Sequence, residues 1–245
     1  MIRLDFDCTI ASITLDRPDR RNALTPEMLD AIPGMVDQAA QSARVIVLQG
    51  AGQAFCAGFD LSLCKDDPIG DTMKSLLRGL SMAVRSLRAC RVPVVAAAHG
   101  AAVAGGCALL GGADFVIAND EARLGYPVLR LGVSPAVSAP FLRAAVGDAL
   151  CRERLLDTGL ISGREAARLG WVWRSVPDPD SVRTAAFELA QRLIPKSAAA
   201  LAATKRWLNT IDGTENTEWP ERALQASLRL AGGAEERAML PAAWG

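Results

Sequence analysis

The side chains that most often carry out catalysis are sparse in this sequence. His99 is the one histidine among 245 residues, which excludes a His-rich metal site and any mechanism that needs two imidazoles. Ser134 and Ser138 lack the Gly-x-Ser-x-Gly elbow of many serine hydrolases, and His99 would be their only imidazole base. Any chemistry is therefore expected to rest on other groups.

Two turns of small residues offer backbone groups instead. Gly50-Ala51-Gly52 follows a strand-like segment, but Phe55 replaces the third glycine of a dinucleotide fingerprint, so we interpret this segment as a tight turn. Ala104-Gly105-Gly106 is flanked by further small residues, which would let a ligand approach the backbone closely. The second turn is the better candidate for a binding site.

The elements that must position these turns alternate between strand-like and helix-like segments, which predicts a layered α/β fold. Ile10 to Leu15, Val45 to Leu48 and Pro93 to Ala98 are apolar runs typical of strands. Thr25-Pro26 predicts a helix start, and Pro33-Gly34 predicts a kink or a break in that helix.

Further helices are predicted from periodicity and capping. Apolar residues recur at helical spacing from Met73 to Leu87, and Leu109-Leu110 suggests the start of a buried helix. Ser162 to Glu165 has the pattern of a capping box. Helical composition dominates residues 181–245, which we interpret as an appendage and not as an independent domain.

A series of segments covers nearly the whole chain in a characteristic order. They are Leu15-Asp16-Arg17-Pro18, Asn22-Ala23-Leu24, Val45 to Leu61, Pro93 to Gly100, Gly105-Gly106-Cys107, Ala113-Asp114, Ala122 to Pro127, Leu131-Gly132, Thr158-Gly159, Ser162, Glu165-Ala166, Gly170 and Ala202 to Lys205. Together they resemble the enoyl-CoA hydratase/isomerase family, also called the crotonase superfamily.

This resemblance implies the crotonase fold, an α/β, ClpP-like spiral of β-β-α units with a C-terminal helical region. Residues 1–180 would form the spiral core, and residues 181–245 would serve trimerisation or cover the site as a lid. The implied assembly is a homotrimer or hexamer. The implied partner is an acyl-CoA substrate, so coenzyme A is bound as part of the substrate, with no permanently bound cofactor and no metal.

In the family, the thioester carbonyl oxygen lies between two backbone NH groups that stabilise an enolate-like anion. Carried onto this chain, the donors are the NH groups of Phe59 and Gly105. Each such donor is typically worth ~10²- to 10³-fold in rate. The resemblance places coenzyme A along Arg20, Ala23, Ala57, Gly58, Asp60 and Leu61.

Several of these residues also have a simpler interpretation. Arg20 or Arg21 could contact a phosphate through its guanidinium, or either could be a solvated surface charge. Asp60 is interpreted as structural, and His99 as a histidine of the core or of a strand end.

The chain departs from the family where hydratases carry their acids. The two glutamates that position and activate water correspond to Ala108 and Val128, and the acid of some double-bond isomerases corresponds to Ala136. General acid–base catalysis contributes ~10²- to 10⁴-fold per group. We therefore expect ordinary hydration to be slow or absent.

Three explanations of this departure stay open. First, another polar group could transfer the proton; the candidates are Tyr126, Arg130, Cys107, Ser134, Asp66 and Asp67. Second, the chain could catalyse an acyl-CoA reaction that needs mainly enolate stabilisation, such as decarboxylation or thioester hydrolysis. Third, it could be a catalytically silent acyl-CoA binder or an assembly subunit.

Composition narrows the partners and the location. The 27 basic residues balance the 27 acidic ones, so neither nucleic acid nor an anionic membrane is an expected partner. Six cysteines without a C-x-x-C pair suit reduced thiols. The first residues carry charges where a signal peptide would be apolar, and no segment is a convincing transmembrane span. These features predict a cytoplasmic protein.

Overall fold

The computed structural model describes residues 1–67, 69–215 and 218–244. The strands are β1 (Ile2–Asp7), β2 (Ile10–Leu15), β3 (Val45–Gly50), β4 (Val94–Ala98), β5 (Ala101–Val103), β6 (Phe115–Asn119), β7 (Arg123–Gly125), β8 (Ile161–Ser162) and β9 (Arg174–Val176). The helices are α1 (Pro26–Ser42), α2 (Asp71–Ala89), α3 (Gly105–Leu110), α4 (Ala139–Leu156), α5 (Gly163–Arg168), α6 (Pro179–Leu193), α7 (Ala198–Ile211), α8 (Glu218–Leu228) and α9 (Ala234–Met239).

The strands form two sheets. The larger one has the order β1-β2-β3-β4-β6-β9, in which β1 is antiparallel to β2 and the other neighbours are parallel. The smaller one has the order β5-β7-β8, with β5 parallel to β7. Because parallel strands need crossover connections, the chain alternates between strands and helices.

Both faces of the larger sheet are covered, which explains the continuous apolar runs of β3 and β4. One face packs against α6, where Val182 and Leu189 contact a cluster that includes Val47 and Val95. The other face belongs to the main core, together with the buried sides of α1 and α2. The predicted strands β2, β3 and β4 and the helix start at Thr25 are confirmed.

Three local features differ from the sequence-based expectation. Helix α1 continues through Pro33, since Ile32 and Val36 on either side of it are both buried in the core. Helix α3 begins at Gly105, so Leu109-Leu110 ends this helix and does not start it. Strand β1 was not predicted, because charged residues alternate with apolar ones along it and no continuous apolar run marks it as a strand. It lies at the edge of the larger sheet, where it pairs with β2.

The C-terminal helices are attached to the core by specific contacts. Helix α6 is capped by Asp178, whose side chain accepts a hydrogen bond from the Ser181 NH. Helix α7 is held by buried Lys205, whose Nζ lies 2.7 Å from Asp114 Oδ2. The division of the chain at residue 180 stays a prediction. Among the described residues, no helix combines the length and the apolar character needed to cross a membrane.

Candidate functional site

Backbone pairing holds two loop segments of the site side by side. Cys56 forms a parallel bridge with Ala102 of β5, in which the Val103 NH donates to the Cys56 carbonyl at 3.0 Å. Phe59 and Gly105 follow the two bridged residues at the same distance along the chain. Phe59 and Gly105, which the resemblance assigned to the oxyanion hole, lie next to each other, since a Cβ added to Gly105 would lie 3.1 Å from the Phe59 ring.

The NH groups of Phe59 and Gly105 are free to bind a ligand. Over the described ranges of the chain, neither NH has a protein acceptor. The adjoining NH groups of Asp60 and Ala104 both donate to backbone carbonyls at 2.9 Å. Buried backbone NH groups nearly always donate a hydrogen bond. Two NH groups without an acceptor at one place are therefore unusual.

Close packing at this place requires small residues. A Cβ added to Gly58 would lie 3.2 Å from both the Ala104 Cβ and the Val103 carbonyl oxygen, and Gly58 has a φ of +100° that other residues avoid. Ala104, just before α3, has φ 53° and ψ −112°, a conformation disfavoured for alanine. Such strain costs about 1–3 kcal/mol and persists where the surrounding structure imposes it. The strained residue directly precedes Gly105, the first residue of α3.

Arg17 positions the loop that precedes α1, a role that sequence reasoning missed. Its guanidinium donates to the Ala23 carbonyl at 2.6 Å and to Asp60 Oδ2 at 2.9 Å. Asp60 also accepts a hydrogen bond from Ser62 at 2.5 Å. The Asp60 carboxylate joins the loop before α1 to the loop that carries Phe59, which agrees with a structural interpretation of Asp60.

Asn22 is a second positioning residue that the sequence alone did not single out. Its side-chain amide donates to the carbonyls of Ala51 and Ala54 at 2.8 Å, and its Oδ1 accepts from the Arg17 NH at 2.8 Å. The residue is fully buried and has a φ of +56°, which asparagine tolerates better than most residues. Its place among the matched segments was the one available signal.

The residues expected to bind coenzyme A fall into two groups. Ala57 and Leu61 line a cavity next to Phe59 and Gly105. Ala23 is half-buried, and the neighbouring Arg20 and Arg21 are exposed. Neither arginine has an ion-pair partner within the described part of the chain, so both guanidinium groups are available to an anion.

The cavity has a volume of about 130 Å³ and is largely apolar. Hereafter called the apolar cavity, it is lined by Ala57, Phe59, Leu61, Met73, Leu77, Leu80, Val103, Ala104, Gly105, Tyr126, Pro127, Val128, Leu131, Val133, Ser134, Pro135, Val137 and Ser138. None of these residues is Asp, Glu, Lys, Arg or His. The two free NH groups thus lie at a pocket whose described walls carry no charged side chain.

The three positions that the family resemblance matches to acids lie in different surroundings. Val128 lines the apolar cavity and is half-buried. Ala108 is 2% exposed in the main core, and neither it nor Ala136 is among the residues that line the cavity. Only Val128 therefore occupies a position from which a side chain extends into this pocket.

Two of the proposed proton-transfer residues line the cavity. Tyr126 is buried, and its ring stacks on Trp171 at 5.8 Å between centroids. Burial raises the pKa of Tyr126 well above its ordinary value. The Ser134 hydroxyl accepts a hydrogen bond from the Ala136 NH at 3.3 Å. Neither group is poised to act as a base at neutral pH.

The remaining proton-transfer candidates are engaged elsewhere. Cys107 is fully buried, donates to the Ala102 carbonyl at 2.7 Å, and has a pKa raised by burial. Arg130 donates to Thr158 at 2.7 Å. The Asp67 carboxylate caps the start of α2, and the hydrogen bond from the Thr72 NH lowers its pKa.

Asp66 is exposed, and neither it nor His99 lines the apolar cavity. His99 lies at the end of β4 with Nε2 2.9 Å from the Gly52 carbonyl, which agrees with its interpretation as a strand-end residue.

Comparison with known proteins gives a consistent result. The family model described as enoyl-CoA hydratase/isomerase matches residues 5–231. A probable enoyl-CoA hydratase of Rhodobacter capsulatus is 34% identical over 233 residues, which are 93% of this chain and 88% of that protein. A short-chain-enoyl-CoA hydratase of Clostridium acetobutylicum is 29% identical over 210 residues, which are 84% of this chain and 80% of that protein.

Among solved structures, an enoyl-CoA hydratase/isomerase from Xanthobacter autotrophicus superposes with a TM-score of 0.89 at 32% identity. The match covers 99% of this chain and 92% of that chain.

Proposed function

Since the chain belongs to the enoyl-CoA hydratase/isomerase family and has the crotonase fold, we propose that it binds an acyl-CoA thioester and stabilises the derived enolate. The thioester oxygen would accept hydrogen bonds from the NH groups of Phe59 and Gly105. The observation that carries this proposal is that the NH groups of Phe59 and Gly105 have no acceptor among the described residues, while both residues line the apolar cavity.

The physical basis of the activity is the oxyanion. When the α-carbon loses a proton or a substituent, negative charge moves onto the thioester oxygen, and fixed donors stabilise it more than they stabilise the neutral carbonyl. The apolar walls strengthen these hydrogen bonds by excluding water. The exposed guanidinium groups of Arg20 and Arg21 would receive phosphates of coenzyme A.

The reaction is proposed to be a divergent lyase, isomerase or hydrolase reaction of an acyl-CoA, and not ordinary hydration. The support is the absence of a carboxylate from the described walls of the cavity, which include Val128, the residue that the family resemblance matches to one glutamate. The same observation favours a second candidate function, that of a catalytically silent acyl-CoA binder. The two candidates share the binding step and differ in turnover.

The binding step can be tested by calorimetry and thermal shift with butyryl-CoA. We expect saturable heat and a rise in melting temperature that grows with ligand concentration, because a ligand that binds only the folded state stabilises it. Free coenzyme A serves as the control for the nucleotide part. The absence of both signals would contradict the proposed function.

Turnover is tested with crotonyl-CoA by following the absorbance of its conjugated thioester. We expect hydration at least ~10²-fold slower than in a family member that has both glutamates, because one acid–base group alone contributes that much. Ordinary hydratase rates would show that another group replaces the acids.

The donor assignment is tested with Gly105→Pro and Gly105→Ala. Proline removes the NH, whereas alanine keeps it and adds a Cβ 3.1 Å from the Phe59 ring. For any acyl-CoA turnover that the wild type supports, and for binding of an enolate-mimicking thioester, we expect proline to lose ~10²- to 10³-fold and alanine much less. Equal effects in two variants of similar melting temperature would contradict the role of the Gly105 NH.

A further inference from the structure

The size of the apolar cavity limits what can enter it. Its volume is about 130 Å³. An apolar cavity of about 150 Å³ in another protein holds one benzene molecule, which has six carbon atoms. A pocket of the present size therefore accommodates an acyl group of up to about six carbons.

One wall of the cavity is a stripe of three side chains on α2. Met73, Leu77 and Leu80 recur at helical spacing and are 1%, 3% and 4% exposed. The segment after β7 supplies further walls, in which Val133 and Val137 are also buried. Because packed interiors resist expansion, a longer acyl chain could enter only by displacing these side chains.

The chemistry of the walls restricts charge as well as length. The polar side chains that line the cavity are the hydroxyls of Tyr126, Ser134 and Ser138. Tyr126 and Ser138 are 2% and 5% exposed, and the Ser134 hydroxyl accepts a hydrogen bond from the Ala136 NH. A carboxylate on the acyl chain would lose its water and find no cation among the described wall residues, which is costly.

We propose that the cavity selects short, uncharged acyl groups of up to about six carbons and that the α2 stripe to which Leu77 belongs sets this length limit. The inference rests on the proposed function, because it assumes that a thioester places its acyl part here.

The charge restriction is tested with two thioesters of equal carbon number. Butyryl-CoA and succinyl-CoA both carry four acyl carbons, and only the second has a terminal carboxylate. Calorimetry is expected to show at least tenfold weaker binding of succinyl-CoA. Equal or tighter binding of succinyl-CoA would overturn the proposal that the acyl group must be uncharged.

The length restriction is tested with acetyl-, butyryl-, hexanoyl- and decanoyl-CoA. Affinity is expected to rise to hexanoyl-CoA and to fall at least tenfold for decanoyl-CoA. In the Leu77→Ala variant, the affinity for decanoyl-CoA relative to that for butyryl-CoA should rise at least tenfold. The matched control is Leu76→Ala, since Leu76 is fully buried on the same helix but does not line the cavity. It should retain the wild-type ratio.

A second variant reduces the volume of the cavity instead of increasing it, and it removes no side chain from the core. Val128→Phe adds volume at a half-buried position of the cavity wall. It should weaken the binding of hexanoyl-CoA at least tenfold, while the affinity for acetyl-CoA should change less than threefold. If both Leu77→Ala and Val128→Phe keep the wild-type order of chain lengths, the assignment of the length limit to this cavity is wrong.

The outcomes separate this inference from the function on which it rests. If none of the thioesters, acetyl-CoA included, binds more tightly than free coenzyme A, the proposed function fails. If acetyl-, hexanoyl- and decanoyl-CoA all bind with equal affinity and exceed free coenzyme A, the proposed function stands and the length limit alone is overturned.

Discussion

At the scale of single residues, Val128 and Ala108 differ in the surroundings that a carboxylate introduced at each position would have. Val128 is half-buried and lines the apolar cavity, so a longer side chain there has space to enter. Ala108 is 2% exposed on the short helix α3, where a glutamate would displace core atoms and bury a charge. Val128 is therefore the position of the two at which a carboxylate can be introduced into the cavity.

The first prediction is that Val128→Glu gains hydration of crotonyl-CoA. We expect a rate ~10²-fold above that of the wild type, the lower end of the contribution of one acid–base group, because the second glutamate is still missing. The apolar walls should raise the pKa of the new carboxyl, so the activity that depends on its ionised form should increase with pH through that raised value. The measurement is loss of the conjugated thioester absorbance from pH 5 to 9.

The control for this prediction is Val128→Gln, which has nearly the same shape and cannot exchange a proton. It should stay at the wild-type rate. A similar gain in both variants would mean that the effect comes from polarity or water entry and not from proton transfer, and the correspondence of Val128 with a hydratase acid would then be wrong.

At the scale of elements, the sequence predicts those strands and helix ends that are determined by residues close together in the chain. The apolar runs of β3 and β4 and the cap at Thr25 act through neighbouring residues, so they were evident from the sequence. The bridge between Cys56 and Ala102 joins distant segments, and only the family resemblance indicated that Phe59 and Gly105 meet. The start of α3 was misplaced by four residues because tertiary contacts impose the conformation of Ala104.

The second prediction concerns the link between the loop before α1 and the loop that carries Phe59. Burial by itself would raise the pKa of Asp60, but hydrogen bonds from Ser62 and Arg17 and the charge of Arg17 outweigh it and hold the pKa below 3.8. The ionised carboxylate therefore stabilises the fold above about pH 4. This contribution is lost as the pH falls through the lowered pKa.

We expect Asp60→Asn to lower the free energy of unfolding by about 1.5–3 kcal/mol at pH 7, the range for hydrogen bonds to charged groups. The difference from the wild type should shrink as the pH falls below 4 in urea titrations. Exposed Asp66 gives the matched control, and Asp66→Asn should stay within about 0.5 kcal/mol of the wild type. A difference for Asp60→Asn that does not change with pH would contradict the ion-pair argument.

At the scale of the whole molecule, α7 presents apolar residues that its own chain leaves exposed. Trp207, Leu208 and Ile211 are 63%, 55% and 66% exposed. Leu208 and Ile211 line a groove of about 660 Å³ together with Trp173, which is 48% exposed. Contiguous apolar surface of this kind marks an interaction site. It agrees with the homotrimer or hexamer that the family resemblance implies, which stays a proposal.

The third prediction is that Leu208→Glu combined with Ile211→Glu reduces the assembly to single chains of 25.9 kDa. Two carboxylates buried without partners in an apolar contact would cost more than the interface gains. Light scattering after gel filtration should give three or six times the chain mass for the wild type. Trp219→Glu, at a 59% exposed position on α8 outside the groove, should leave that mass unchanged. A monomeric wild type would contradict the proposed assembly. If the double variant keeps the mass of the wild-type assembly, the interface does not involve Leu208 and Ile211.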